Sequence, residues 1–153
     1  MTTVGVISDT HGLLRPEALE YLRGSELIIH AGDVGPEPIL DRLGEIAPVR
    51  AVRGNVDRAP WASALNEDEV IELTGRFIYV IHDLNGIEID PSAAGFDAVI
   101  SGHSHKPGIV KKDGVLYLNP GSAGPRRFRL PICLAKLYVT ATKVSAELQE
   151  LEL

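Results

Sequence analysis

The sequence predicts an α/β fold, and three features of it carry that reading. Its first half alternates strand-like and helix-like segments, and its second half is almost entirely strand-like. Residues suited to metal binding and polar chemistry fall where the strands end. Strands joined through helices imply a parallel sheet with crossover connections. In open α/β sheets, ligands bind beyond the carboxyl ends of the strands.

TTVGVIS (residues 2–8) reads as a short buried strand, and RPEALEYLRG (15–24) as a helix with Pro16 in its first turn, where the missing N–H is not needed. ELIIHAGD (26–33) is a second strand. PEPILDRLGEI (36–46) is a second helix with Ile39, Leu40, Leu43 and Ile46 on one stripe, and APVRAVRGN (47–55) is a third strand. EVIELTGRFIYVIHD (69–83) is expected to be two strands joined at Thr74-Gly75, and FDAVISGH (96–103) another strand. GIVKKDGVLYLNP (108–120) is a hairpin with Asp113-Gly114 at its turn, a strong local signal. Residues 130–153 close the chain with two strands meeting near Thr140-Ala141-Thr142, and NGIEIDPSAAG (85–95) holds at most a turn of helix. With no repeat, low-complexity tract or linker, residues 1–153 read as a single domain with more strands than helices.

The length of 153 residues allows a sizeable core without staples. Hydrophobic residues at 44% and charged residues at 24% are those of a soluble globular protein. A net charge of −6 argues against a general nucleic-acid binder, which needs a basic excess, though not against a small phosphorylated substrate. The lone Cys133 lies in an apolar run and reads as packing. No basic segment with an apolar stretch opens the chain, and no apolar run is long enough to span a bilayer. A reduced, cytoplasmic protein is expected, with no membrane partner.

Seven polar residues fall at strand ends. Asp9 and His11 follow the first strand, Asp33 the second and Asn55 the third; His82 follows a later strand, and His103 and His105 another. The last two, in SGHSHKP, stand at i and i+2. In an extended segment that spacing puts both on one side, about 6.6 Å apart along the backbone. Two carboxylates, four imidazoles and one amide make a nitrogen-and-oxygen ligand set without thiolate, which suits Mn, Fe, Co, Ni or Zn better than Ca or Mg. Two such ions about 3.5–4 Å apart can clamp the attacking and leaving oxygens of a phosphoryl transfer and supply a bridging hydroxide near neutral pH. Two divalent ions, two aspartates and one hydroxide leave a formal +1, which suits a phosphodiester monoanion.

The ordered blocks DTH, GD, GN, IH and GHSH resemble those of the calcineurin-like metallophosphoesterases, in particular the small single-domain bacterial and archaeal phosphodiesterases. NPGSAGPRR (119–127) is similar to that subgroup's closing loop, so the resemblance covers essentially the whole chain. It implies a four-layer α/β/β/α sandwich of two mixed sheets flanked by helices, and a dinuclear site. One ion would take Asp9, His11 and His105, the other Asn55, His82 and His103, with Asp33 bridging. Mn is the first choice of metal, with Ni, Co, Fe and Zn as alternatives. The implied activity is hydrolysis of a small phosphodiester by in-line attack of the bridging hydroxide, with no side-chain nucleophile.

The chain also departs from that family's pattern. Many members carry a histidine directly after the asparagine, where this chain has Val56 and then Asp57. The small subgroup commonly lacks it too and favours diesters. Members usually read HG where this chain has His82-Asp83-Leu84, so Asp83 is expected to change metal affinity or substrate range. Arg126, in a cluster with Arg127 and Arg129, is the candidate for gripping a substrate phosphate through a bidentate contact. His30 and Trp61 read as structural. No GxxxxGK or GxGxxG loop occurs.

Two other readings compete. The retromer's phosphodiesterase-like subunit resembles the same family yet serves as an assembly part after losing ligand quality, so a protein-binding scaffold is the alternative function. All seven positions here hold competent ligand types, which favours catalysis. A haloacid-dehalogenase-type phosphatase needs a second carboxylate two residues after its nucleophile, where this chain has His11. Self-association into a homo-oligomer is left open.

Overall fold

The computed structural model describes residues 1–36, 38–58 and 60–152. Glu37 of the second predicted helix and Leu153 of the last predicted strand lie outside the described residues. The elements are β1 (Thr2–Ile7), α1 (Pro16–Leu22), β2 (Leu27–His30), α2 (Pro38–Gly44), β3 (Val49–Ala51), β4 (Asp68–Leu73) and β5 (Arg76–Ile81), then β6 (Ala98–Ile100), β7 (Gly108–Lys112), β8 (Val115–Asn119), β9 (Cys133–Val139) and β10 (Val144–Glu150). Short 3₁₀ segments cover Pro60–Ala64 and Leu84–Gly86. Both hairpin turns fall where expected. Thr74-Gly75 and Asp113-Gly114 each have two consecutive positive φ angles, the condition for a tight turn that matches strand twist.

Among the described residues, ten strands form two mixed five-stranded sheets, in the orders β10-β9-β1-β2-β3 and β4-β5-β6-β8-β7. In the first, β1, β2 and β3 run parallel, as the strand-helix alternation predicts. The distant β9 then pairs antiparallel with β1, Val4 opposite Leu137, and carries β10 on its outer side. In the second, β5, β6 and β8 are parallel, with β4 and β7 antiparallel at the edges.

Alternation along the strands builds the layers. Val4 and Val6 of β1 face inward with Ile78, Val80, Ile100, Leu118 and Leu137, forming the core between the sheets. Ile7 faces the other way and meets Leu22 of α1 and Leu43 of α2, so both helices cover the outer face of the first sheet. Complete burial of Leu22 contributes about 1.5–3 kcal/mol. The outer face of the second sheet presents Tyr79, Val99 and Val115, which pack with Ile87 and Phe96 from the segment before β6. The fourth layer is therefore thin, a 3₁₀ turn and loop rather than a long helix. Trp61 packs, partly buried, with the helix-side core, and Cys133 is buried with burial pushing its thiol up to about 11. No helix among the described residues is long and apolar enough to cross a membrane.

Candidate metal centre

The parallel strands of both sheets deliver their following loops to one edge. Asp9 and His11 come after β1, Asp33 after β2, Asn55 after β3, His82 directly after β5, and His103 and His105 after β6. Among the described residues, two groups hold ligand atoms within 4.8 Å of one another: Asp9, His11 and His105, and Asp33, His82 and His103. The paired histidines of SGHSH thus belong to different groups. Asp33 lies between them, its Oδ2 being 3.1 Å from His82 Nε2 and 3.9 Å from His11 Nε2. Asn55 joins the second group through Oδ1, 3.1 Å from His82 Nε2.

The backbone that achieves this is not the extended one expected from i, i+2 spacing. Asp9, His11, Asp33, His103 and His105 all have positive φ, between 47° and 70°. Each such residue stores roughly 1 kcal/mol or more, least for aspartate. Left-handed turns let the chain double back, so neighbouring histidines separate instead of pointing one way. Close packing of loops enforces the shape: a Cβ on Gly54 would strike the backbone nitrogen and carboxylate of Asp33, and one on Gly102 would strike the Ser8 hydroxyl.

Hydrogen bonds then aim each group. Asp9 Oδ2 accepts from Ser8 Oγ (2.7 Å) and His103 N (3.1 Å). Its Oδ1 has no hydrogen-bond partner and faces His105 Nε2 at 3.3 Å and the Nε2 atoms of His11 and His82 at 3.9 Å. His82 Nδ1 donates to the Ala31 carbonyl at 2.6 Å, which leaves Nε2 to face Asp33 and Asn55. Asp33 Oδ1 accepts from the Val56 N–H at 3.0 Å.

Electrostatics follow from this wiring. Burial alone would raise Asp33, but the His82 and Val56 hydrogen bonds pull it down to about 2, so it is ionised at neutral pH. Burial raises Asp9 despite the Ser8 hydrogen bond and the nearby imidazoles. Burial lowers His105, against the pull of Asp9, and the Arg127 guanidinium adds to the lowering. His82 goes the other way: burial opposes protonation, yet Asp33 and Asp9 raise it.

The residues fit a bound cation. Asp9 Oδ1 and His11 Nε2 are buried polar atoms without hydrogen-bond partners among the described residues, a situation that costs about 1–3 kcal/mol each unless something takes them. Two ionised or ionisable carboxylates beside four imidazoles supply the nitrogen-and-oxygen donors that divalent transition metals prefer.

Other residues brace the site, and the sequence marked few of them. Asp57 is buried and accepts from Val34 N, Gly35 N and Gly54 N at 2.9–3.1 Å, tying the loop that holds Asp33 to the one that holds Asn55. His30 is fully buried; its Nδ1 accepts from Gly32 N, and its Nε2 lies 3.0 Å from Thr10 Oγ1, which donates to the Val34 carbonyl. That is the structural role expected of it. Ser122 Oγ donates to the Asp9 carbonyl, and Asn119 Nδ2 to the Gly102 carbonyl and Ser104 Oγ, so the NPGS segment props both ligand loops. The sequence marks His30 as structural and the NPGSAGPRR segment by its resemblance, whereas nothing in it marks Asp57 as a brace.

Asp83 is half-exposed with an extended φ of −109°, and its Oδ1 accepts from Asn85 N at 3.0 Å. Its Oδ2 lies 3.8 Å from His103 Nε2, which puts an added negative charge at the rim of the second group. An open cavity of about 290 Å³ there is lined by Arg53, Asn55, Glu67, His82, Asp83 and His103 among others. Arg126 donates to the Leu130 carbonyl at 3.3 Å, within its own loop.

A two-sheet α/β sandwich with carboxylate, amide and imidazole side chains gathered at its strand ends is a scaffold suited to holding metal ions. The chain belongs to the calcineurin-like phosphoesterase superfamily, whose domain profile matches residues 2–142. It is 34% identical over 157 residues to a probable metallophosphoesterase of Methanothermobacter thermautotrophicus, covering 95% of this chain and 90% of that protein. A phosphodiesterase of Methanocaldococcus jannaschii is 27% identical over 136 residues, 77% of this chain and 82% of that one. The fold is also that of Vps29 from Chaetomium thermophilum, with a TM-score of 0.85 at 17% identity over 99% of this chain and 88% of that one.

Proposed function

We propose that this chain, acting over residues 1–153 as one unit, is a cytoplasmic phosphodiesterase that holds two divalent ions, Mn first among them. Asp9, His11 and His105 would hold one ion and Asn55, His82 and His103 the other, with Asp33 placed to serve both. The observation that carries this reading is the pair of adjacent ligand groups around Asp33, with buried ligand atoms that no described residue satisfies. When bound, two such ions supply Lewis-acid stabilisation and a hydroxide nucleophile at neutral pH for in-line attack on phosphorus.

The protein's own part is placement. Asp33 stays ionised through the His82 and Val56 contacts, the Ala31 carbonyl sets the His82 tautomer, and the left-handed turns hold the imidazoles apart. Val56 offers only its backbone N–H where a family histidine would protonate a leaving group, so no side chain there assists a poor leaving alkoxide. The formal +1 of the loaded site complements a diester monoanion. The curated Methanocaldococcus relative, itself named a phosphodiesterase, supports the same choice.

A second reading, a protein-binding scaffold, draws on the Vps29-like fold. The two readings separate in one experiment. Metal-stripped protein is assayed on bis(p-nitrophenyl) phosphate and p-nitrophenyl phosphate with Mn, Ni, Co, Zn and Mg added back singly. Turnover is expected to return with Mn, to favour the diester, and to vanish in Asp33→Asn and His103→Ala while circular dichroism is unchanged. Near-wild-type turnover in both variants would refute the ligand assignment. A faster monoester rate would refute the diester preference, and two tightly bound ions without turnover would favour the scaffold.

A further inference from the structure

Residues 126–129 read RRFR, and no acidic residue lies between Gly124 and Cys133. Phe128 is 87% exposed, the most exposed of the large hydrophobic residues among the described residues, and its φ is +55°. Folding does not account for either property. An exposed phenylalanine forgoes its burial free energy, and an aromatic side chain on left-handed backbone is strained. Phe128 belongs to none of the three hydrophobic clusters of the described residues.

Its position supplies a reason. Phe128, Arg129 and Leu130 line a shallow, open depression of the surface together with Lys106, the residue directly after His105. The loop starts against the first ligand group: a Cβ on Gly124, two residues before Arg126, would strike the carbonyl oxygens of Thr10 and Asp9. The loop therefore flanks the first ligand group with cations and one flat apolar ring. Aromatic rings stack on nucleobases, and guanidinium groups hold phosphate oxygens.

We infer that residues 126–129 form a platform for a nucleotide-containing phosphodiester: Phe128 stacks on its base while Arg127, Arg129 and Lys106 hold phosphate. The inference builds on the proposed phosphodiesterase reading and names the substrate class for that site. A small nucleotide is the occupant rather than a nucleic acid or an anionic lipid surface, because a net charge of −6 repels an extended polyanion while four local cations attract a small one.

The test is calorimetric and needs no turnover. Adenosine 5′-monophosphate and glycerol 3-phosphate are titrated into Mn-loaded protein; both offer the same phosphate, so their affinity ratio reports the base. Adenosine 5′-monophosphate is expected to bind roughly tenfold tighter. The ratio should fall to near one in Phe128→Ala and survive in Phe128→Trp, whereas Arg127→Gln should weaken both ligands alike. A ratio near one in the unaltered protein overturns the inference. So does a ratio that Phe128→Ala leaves intact. Phosphatidylglycerol vesicles that bind the protein through Phe128, with a nucleotide ratio near one, would assign the loop to a membrane surface instead. A preserved ratio without hydrolysis of any diester would leave the platform standing and remove the hydrolase reading; hydrolysis with a ratio near one would do the reverse.

Discussion

Replacing Asp57 by alanine tests whether the ligand loops are held by one buried carboxylate. Oδ2 accepts from Gly54 N at 2.9 Å and Val34 N at 3.1 Å, and Oδ1 from Gly35 N at 3.1 Å. Hydrogen bonds to charged groups contribute about 1.5–3 kcal/mol each, and removing the acceptor strands three donors. Neighbouring losses do not add in full, and water enters part of the space, so a net loss of about 4 kcal/mol is expected. Asp57→Asn keeps one acceptor oxygen but turns an amide N–H₂ toward a backbone N–H, and about 2 kcal/mol is expected. The assay is urea unfolding followed by the fluorescence of Trp61, the sole tryptophan. Mn titration runs in parallel, because the same contacts set the separation of Asp33 and Asn55. An Asp57→Ala protein within about 1 kcal/mol of the unaltered one, with unchanged Mn affinity, would refute the idea that this carboxylate ties the loops.

His30 should make the fold acid-sensitive. Burial, with help from the nearby imidazoles and against Asp33, lowers it to about 3 in the folded state, against roughly 6.5 unfolded. Between these values the unfolded chain binds the extra proton, so stability is whole above pH about 6.5 and falls as pH drops, by up to ~1.4 kcal/mol per pH unit. His30→Gln should flatten the slope of unfolding free energy between pH 6 and 4 by nearly one proton, and an unchanged slope would count against the assignment. Gly54→Ala should destabilise by about 1–3 kcal/mol and weaken Mn binding, since its methyl group meets the Asp33 backbone. Gly44→Ala, with nothing within 4 Å of its Cβ, should be neutral or stabilising by about 0.5–1 kcal/mol in the same urea titration.

Much of this molecule is written locally. Pro16, the apolar stripe of α2 and the Thr74-Gly75 and Asp113-Gly114 turns lie in the same short windows as the elements they specify, so the sequence determines which elements form and in what order, though the elements end sooner than expected, β3 covering only Val49–Ala51 of residues 47–55. Ligand-type residues after successive strands likewise foretell a shared edge, because parallel strands deliver their loops to one side. The tertiary structure alone decides the rest. Nothing near residue 135 announces that β9 will pair with β1, since that register joins residues more than a hundred positions apart. Nor does the SGHSH segment announce that its histidines will part. Asp9, His11, Asp33, His103 and His105 take left-handed backbone in loops packed so closely that a Cβ on Gly54 would strike Asp33 and one on Gly102 would strike Ser8. Asp57 finds its three donors only once β2 and β3 lie side by side. Local propensity sets each element, whereas strain and buried polar pairing at the site require contacts that exist only after the sheets have closed.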